Sequence, residues 1–195
     1  MIMKLMSGLK PILIALLIVV GLQLSGFMGT ASFYAHSAAL RTGLFNASAE
    51  KMKKPKTFDY NFMIKDLEGT KISFEKFRGK VVFLNMWATW CGPCRAEMAD
   101  IQKLYNSVDH DKVVFVMLSI DDDKNRAKVG SYVHNKSFTF PVFMPSGYLP
   151  EQLHVPSIPT TFVLSKDGKI IAKEVGSKNY NTDNFKKFLE DQANN

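Results

Sequence analysis

Residues 81–94, VVFLNMWATWCGPC, constrain the fold of this chain more than any other stretch. A continuous apolar run of strand length, rich in Val and Phe, reads as a strand buried on both faces of a sheet. It ends at a C-x-x-C pair, Cys91 and Cys94, whose intervening Pro93 suits the first turn of a helix. Beyond it, Met98, Ile101, Leu104, Tyr105 and Val108 recur at helical spacing, giving a helix that packs back onto the sheet. Both cysteines of the chain therefore sit where a buried strand hands over to a helix.

The remaining pattern extends this unit. FMIKDLEGTKISF alternates around Glu68-Gly69 and predicts a hairpin, and VVFVMLSI (113–120) predicts a second buried strand. DDDKNRAKVGSYVHNK reads as a surface helix, with Asp121, Asp122 and Asp123 at its start favoured by the helix dipole. Pro141–Met144 reads as a short strand and YLPEQLHV as a short helix or loop. TTFVLSKDGKIIAKEV is a hairpin around Lys166-Asp167-Gly168, and Thr182–Gln192 is a closing amphipathic helix with Phe185, Phe188 and Leu189 on one face. Strand–helix–strand followed by hairpin and helix indicates an α/β domain with a central mixed sheet, over residues 57–195.

The residues before it differ in kind. Lys4 and Lys10 precede an uncharged stretch from Ile12 to Gly29, long enough at about 1.5 Å per residue to nearly cross a hydrocarbon core. Residues 1–35 are read as a membrane anchor or signal segment, with Ser37-Ala38-Ala39 as candidate cleavage residues. The basic flank places the domain outside the cytoplasm, as a single-pass membrane protein, or secreted if the segment is cleaved. Residues 36–56 are read as a basic tether, partly helical over Ala47–Lys54. Of the net charge of +7, seven Lys/Arg against one acid fall in residues 1–56, so the domain itself is near neutral and no nucleic-acid partner is expected.

Two thiols at this spacing admit a redox pair, half of a metal site, or a structural staple. Structural zinc needs four ligands, and no second cysteine pair or paired histidines accompany this one, so no metal is assigned. A staple closing so short a loop contributes comparatively little. A thiolate at a helix N-terminus is stabilised by unpaired N–H groups and the dipole, which makes Cys91 the natural nucleophile of thiol–disulfide exchange. Cys94, nearly one turn on, is more buried and positioned to resolve a mixed disulfide on Cys91.

WATWCGPC resembles a thioredoxin-fold active site. With GKVVFLNMWATWCGPCRAEM, SIPTTFVLSKDGKI, the early hairpin and the N-terminal apolar helix, the chain is similar to the TlpA/ResA-like family of membrane-anchored thiol–disulfide oxidoreductases over roughly Phe58 to Glu190. The resemblance implies a thioredoxin-like fold with an N-terminal β-hairpin extension. It implies no cofactor beyond a redox-active Cys91–Cys94 disulfide. Pro159 matches the cis-proline beside that disulfide, and Ile158 before it offers backbone groups to an extended substrate. Trp90, Gly92 and Pro93 complete the expected substrate face, with Trp87 as a second candidate wall. Thioredoxins proper carry a buried Asp where this chain has Asn85, which exchanges no proton. Similar members use a Glu three residues after the second cysteine, and Glu97 stands there as the candidate acid/base; the alternative is a surface Glu paired with Arg95 or Lys103. Where many relatives have a proline two residues later, this chain has Ala99.

The resemblance implies protein-disulfide substrates, with apocytochrome c as one class, and a membrane thiol-electron donor of the CcdA/DsbD type. Gly-Pro between the cysteines is similar to reducing thioredoxins (about −270 mV) rather than to the oxidant DsbA (about −120 mV). The competing readings are a disulfide oxidase or isomerase, a non-catalytic thioredoxin-fold binding module, and a thiol peroxidase. Leu84 and Ala88 stand where the last would need Pro and Thr.

Overall fold

The computed structural model describes residues 27–194. The stretch 1–26, which holds most of the expected anchor, lies outside them. No helix among the described residues is long and apolar enough to cross a membrane.

The elements in chain order are α1 (Phe27–Leu40), β1 (Lys56–Thr57), β2 (Met63–Lys65), β3 (Lys71–Ser73), β4 (Val81–Trp87) and α2 (Gly92–Ser107). They continue with β5 (Val113–Ser119), α3 (Arg126–Asn135), β6 (Val142–Pro145), β7 (Thr160–Leu164), β8 (Lys169–Val175) and α4 (Asp183–Asn194). One eight-stranded mixed sheet runs β1-β8-β7-β4-β5-β6-β2-β3. β4 lies parallel to β5, with Val81 opposite Val113 and Trp87 opposite Ser119, and antiparallel to β7, with Asn85 opposite Thr161. Both predicted hairpins form, β2–β3 and β7–β8.

Successive side chains of a strand face opposite ways, and the fully buried β4 divides the core accordingly. Val81, Phe83 and Trp87 join the layer under the helices with Met98, Ile101 and Leu104 of α2 and Phe185 and Leu189 of α4. Phe83 stacks on Phe115 at 4.7 Å and meets Tyr180 edge-on at 5.2 Å. Val82, Leu84 and Met86 face the other layer, closed by the aromatic segment Phe58, Tyr60, Phe62, Phe74 and Phe77. By the same alternation Asn85 points into the helix-side layer, a polar residue among apolar ones.

The tether reading is corrected at two places. Residues 36–40 complete α1, which packs against α2, so they are not tether. Ala47–Lys54 is not helical. The Ala47 N–H donates to Asn179 O at 3.0 Å, the Met52 N–H donates to Ile171 O at 2.7 Å, and Lys56–Thr57 pairs with β8. An open sheet edge offers hydrogen-bond partners that composition does not announce, and they hold the basic segment along the domain surface.

Candidate active site

The chain leaves β4 at Trp87, and a buried carboxylate shapes the turn that follows. Asp121 accepts from the Thr89 N–H (2.8 Å), the Thr89 hydroxyl (2.6 Å) and the Ser119 hydroxyl (2.7 Å). It is 6% exposed, so the reading of Asp121 as part of a helix start is corrected; Asp122 caps and Asp123 begins the helical turn that leads into α3. An acid inside the loop supplies what that loop's buried donors lack.

The turn delivers Cys91 as the N-cap of α2, with Pro93 in the first turn. Cys91 and Cys94 are joined as a disulfide, and the Cys94 N–H donates to Cys91 Sγ at 3.1 Å. The same N–H, freed by the helix start, is placed to stabilise a thiolate on Cys91 in the reduced state. Cys94 is fully buried. The Ile158–Pro159 bond is cis, and the Ile158 carbonyl oxygen lies 3.8 Å from Cys91 Sγ.

Three consecutive residues after β8 clamp this arrangement. The Gly176 N–H donates to Pro159 O (2.9 Å), the Ser177 hydroxyl to Pro93 O (2.6 Å), and the Lys178 N–H to Glu97 Oε2 (2.9 Å). One short loop thus ties together the proline loop, the dithiol motif and the candidate acid. Two of its contacts use backbone donors, which leave no trace in residue identity.

Glu97 is fully buried. Its Oε1 accepts from Asn85 Nδ2 at 2.8 Å; the same nitrogen donates to Thr161 Oγ1 at 2.8 Å, and Tyr180 donates its hydroxyl to that oxygen at 2.7 Å. Burial pushes the Glu97 carboxyl up to about 8, against the opposing pull of the Lys178 N–H and the Asn85 amide. Burial and then the Glu97 charge hold the Tyr180 phenol well above its usual range. The surface-pair alternative does not occur: Lys103 pairs with Asp100 at 2.9 Å, and Arg95 lies over the Phe33 ring at 5.3 Å.

The expected substrate face is only partly open. Trp90 is 59% exposed beside Cys91, and Pro93 and Ile158 are half-buried. Trp87 is not a wall of the site; it is fully buried, its ring 5.7 Å from that of Tyr132. Gly92 is buried beneath α1. A Cβ there would stand 2.6 Å from Gly29 O, 3.0 Å from Ser32 Cβ and 3.1 Å from the Phe33 nitrogen, so only glycine permits this approach. Ala99 lies exposed on α2, which runs unbroken from Gly92 to Ser107.

Thr161, Ser177, Lys178 and Tyr180 carry no signal of their own in the sequence, and Asp121 carries only that of a helix start. Thr161 had a usable signal, since pairing β4 with β7 places it opposite Asn85. Among the described residues no group of three or more His, Cys, Asp or Glu side chains is placed to hold a metal ion.

The Redoxin family profile matches residues 49–189. Thiol-disulfide oxidoreductase ResA of a Bacillus cereus strain is 37% identical over 135 residues, covering 69% of this chain and 76% of that protein. Sporulation thiol-disulfide oxidoreductase A of Bacillus subtilis is 29% identical over 134 residues, covering 68% and 81%. The crystal structure of StoA from Bacillus subtilis superposes with a TM-score of 0.54 at 29% identity, covering 65% of this chain and 94% of that one. A thioredoxin-family thiol:disulfide interchange protein from Chlorobium tepidum shares the fold at a TM-score of 0.58 and 23% identity, covering 73% and 99%.

Proposed function

We propose a direction and a setting for a chain that belongs to the Redoxin family and, within it, to the ResA-like thiol–disulfide oxidoreductases. The chain reduces protein disulfides on the outer side of a membrane, held there by its N-terminal apolar segment. The observation that carries the reading is the asymmetry of the two thiols: Cys91, 6% exposed, caps α2 against the Ile158–Pro159 loop, while Cys94 has no exposed surface.

In the reduced enzyme the Cys91 thiolate attacks one sulfur of the substrate disulfide, and the other substrate sulfur leaves as a thiolate that takes a proton from water. Glu97, one helical turn beyond Cys94, accepts the Cys94 proton when it is ionised, the form that burial confines to the minority below about pH 8. The Cys94 thiolate then attacks Cys91 Sγ, releasing the remaining substrate sulfur as a second thiolate. Two electrons pass from the dithiol to the substrate, leaving the Cys91–Cys94 disulfide seen here. A membrane thiol-electron donor of the CcdA/DsbD type restores the dithiol, and apocytochrome c is the substrate class that the motif resemblance implies. Trp90, Pro93 and the Ile158 backbone form the open part of the docking face, and Gly92 joins it only when α1 moves aside.

Equilibration of the Cys91–Cys94 pair against a dithiol buffer tests the direction. A potential near about −270 mV is expected, whereas a value above about −180 mV would assign the chain to oxidation or isomerisation.

A further inference from the structure

The polar chain Glu97–Asn85–Thr161–Tyr180 leaves one buried atom with no partner at all. Asn85 Nδ2 donates twice, to Glu97 Oε1 and Thr161 Oγ1, while Asn85 Oδ1 is buried without a hydrogen-bond partner. Such a buried acceptor is costly to leave unpaired.

We propose that Asn85 is a positioning residue whose side-chain amide turns by half a rotation with the proton on Glu97, keeping the buried carboxyl hydrogen-bonded in both of its states. The observed arrangement suits the carboxylate: Glu97 receives the Asn85 amide on Oε1 and the Lys178 N–H on Oε2. Once Oε1 carries a proton, that contact sets one donor against another. The two ends of a carboxamide are nearly equal in size but opposite in hydrogen-bonding role. Half a turn puts Oδ1 where Nδ2 was, to accept from the Glu97 hydroxyl and from the Thr161 hydroxyl. Thr161 keeps Tyr180 as its donor, and Lys178 keeps its bond to Oε2.

Both states then hold four bonds along the chain, with one end of the amide spare in each. The spare Oδ1 is what a group serving two protonation states must carry. An ionised Asp at position 85 would set a second buried charge against Glu97, and a Leu would offer neither donor nor acceptor. The other ionisable groups around Glu97 are Tyr180, held neutral by burial, and the ion pair of Lys178 with Glu174 at 3.5 Å; Cys94, one turn before it, is held in the disulfide and has no proton to lose. The consequence for turnover rests on the proton-accepting role proposed for Glu97; the rotation itself does not.

Nuclear magnetic resonance of the full chain in its oxidised form, labelled at asparagine and at the glutamate carboxyl, tests the rotation without substrate. Above the Glu97 midpoint, the Asn85 side-chain NH2 protons should show a contact with the Thr161 methyl. That contact should be lost below the midpoint, with the same titration curve as the Glu97 carboxyl signal. Glu97→Gln should abolish the pH dependence. A contact that persists unchanged across the midpoint, or one that still titrates in Glu97→Gln, would overturn the proposal. Failure of disulfide reduction in a separate assay would sink the reductase reading and leave this result standing.

Discussion

Glu97→Gln has an effect whose sign and size follow from the site. The carboxyl is displaced from 4.5 to about 8, chiefly by burial. Between those two values the folded chain holds a proton that the unfolded chain has released. Stability from this group is therefore complete below pH 4.5 and is lost as pH rises through 8. At about 1.36 kcal/mol per pH unit the full displacement corresponds to about 5 kcal/mol. Relaxation and water entry around the newly charged group bring the expected loss to about 2–4 kcal/mol. The glutamine amide does not titrate, and Tyr180, whose phenol burial holds high with or without the Glu97 charge, stays protonated through pH 9 in both proteins, so their difference isolates this carboxyl. Urea unfolding of the oxidised proteins at pH 5, 7 and 9 should show the variant gaining about 2–4 kcal/mol on the parent across that range, whatever their offset at pH 5. A difference that stays flat with pH, or that moves the other way, would refute the buried-acid account.

Asp121→Ala leaves the buried Thr89 N–H and two hydroxyls without their acceptor and should cost about 2–3 kcal/mol in urea unfolding, as well as slowing disulfide exchange by loosening the turn before Cys91. Gly92→Ala forces a Cβ to 2.6 Å from Gly29 O, so α1 must shift; hydrogen exchange over residues 30–40 should accelerate while β4 and β5 keep their protection. Phe83→Ala removes a ring packed against Phe115, Tyr180 and Phe185 and should cost about 3–5 kcal/mol.

The central unit was legible because its signals are local and redundant. A seven-residue strand buried on both faces must be continuously apolar, and a helix that opens on Cys-Gly-Pro-Cys carries its own start signal. Asn85 stood out as the one polar residue in that strand, and Glu97 through the resemblance. Their contact with each other follows from side-chain direction, which the α2 register and the β4 alternation determine together. Asp121 was misread because a run of three acids before a helix fits the dipole argument equally well; burial of the first acid depends on Thr89, 32 residues away in sequence. The clamp of Gly176, Ser177 and Lys178 was invisible because backbone N–H groups supply most of its bonds. The cover over Gly92 was hidden for a related reason. Small residues in α1 and a glycine in α2 permit a backbone approach that no hydropathy pattern encodes.

The division of labour between the two thiols is the centre of the account, and covalent trapping measures it directly. A reduced Cys94→Ser variant, mixed with a protein disulfide, should accumulate a dithiothreitol-labile adduct attached through Cys91, because nothing remains to resolve it. Cys91→Ser should accumulate none, its remaining thiol being fully buried. Equal adducts on both variants, or an adduct only through Cys94, would contradict the assignment of Cys91 as the attacking sulfur.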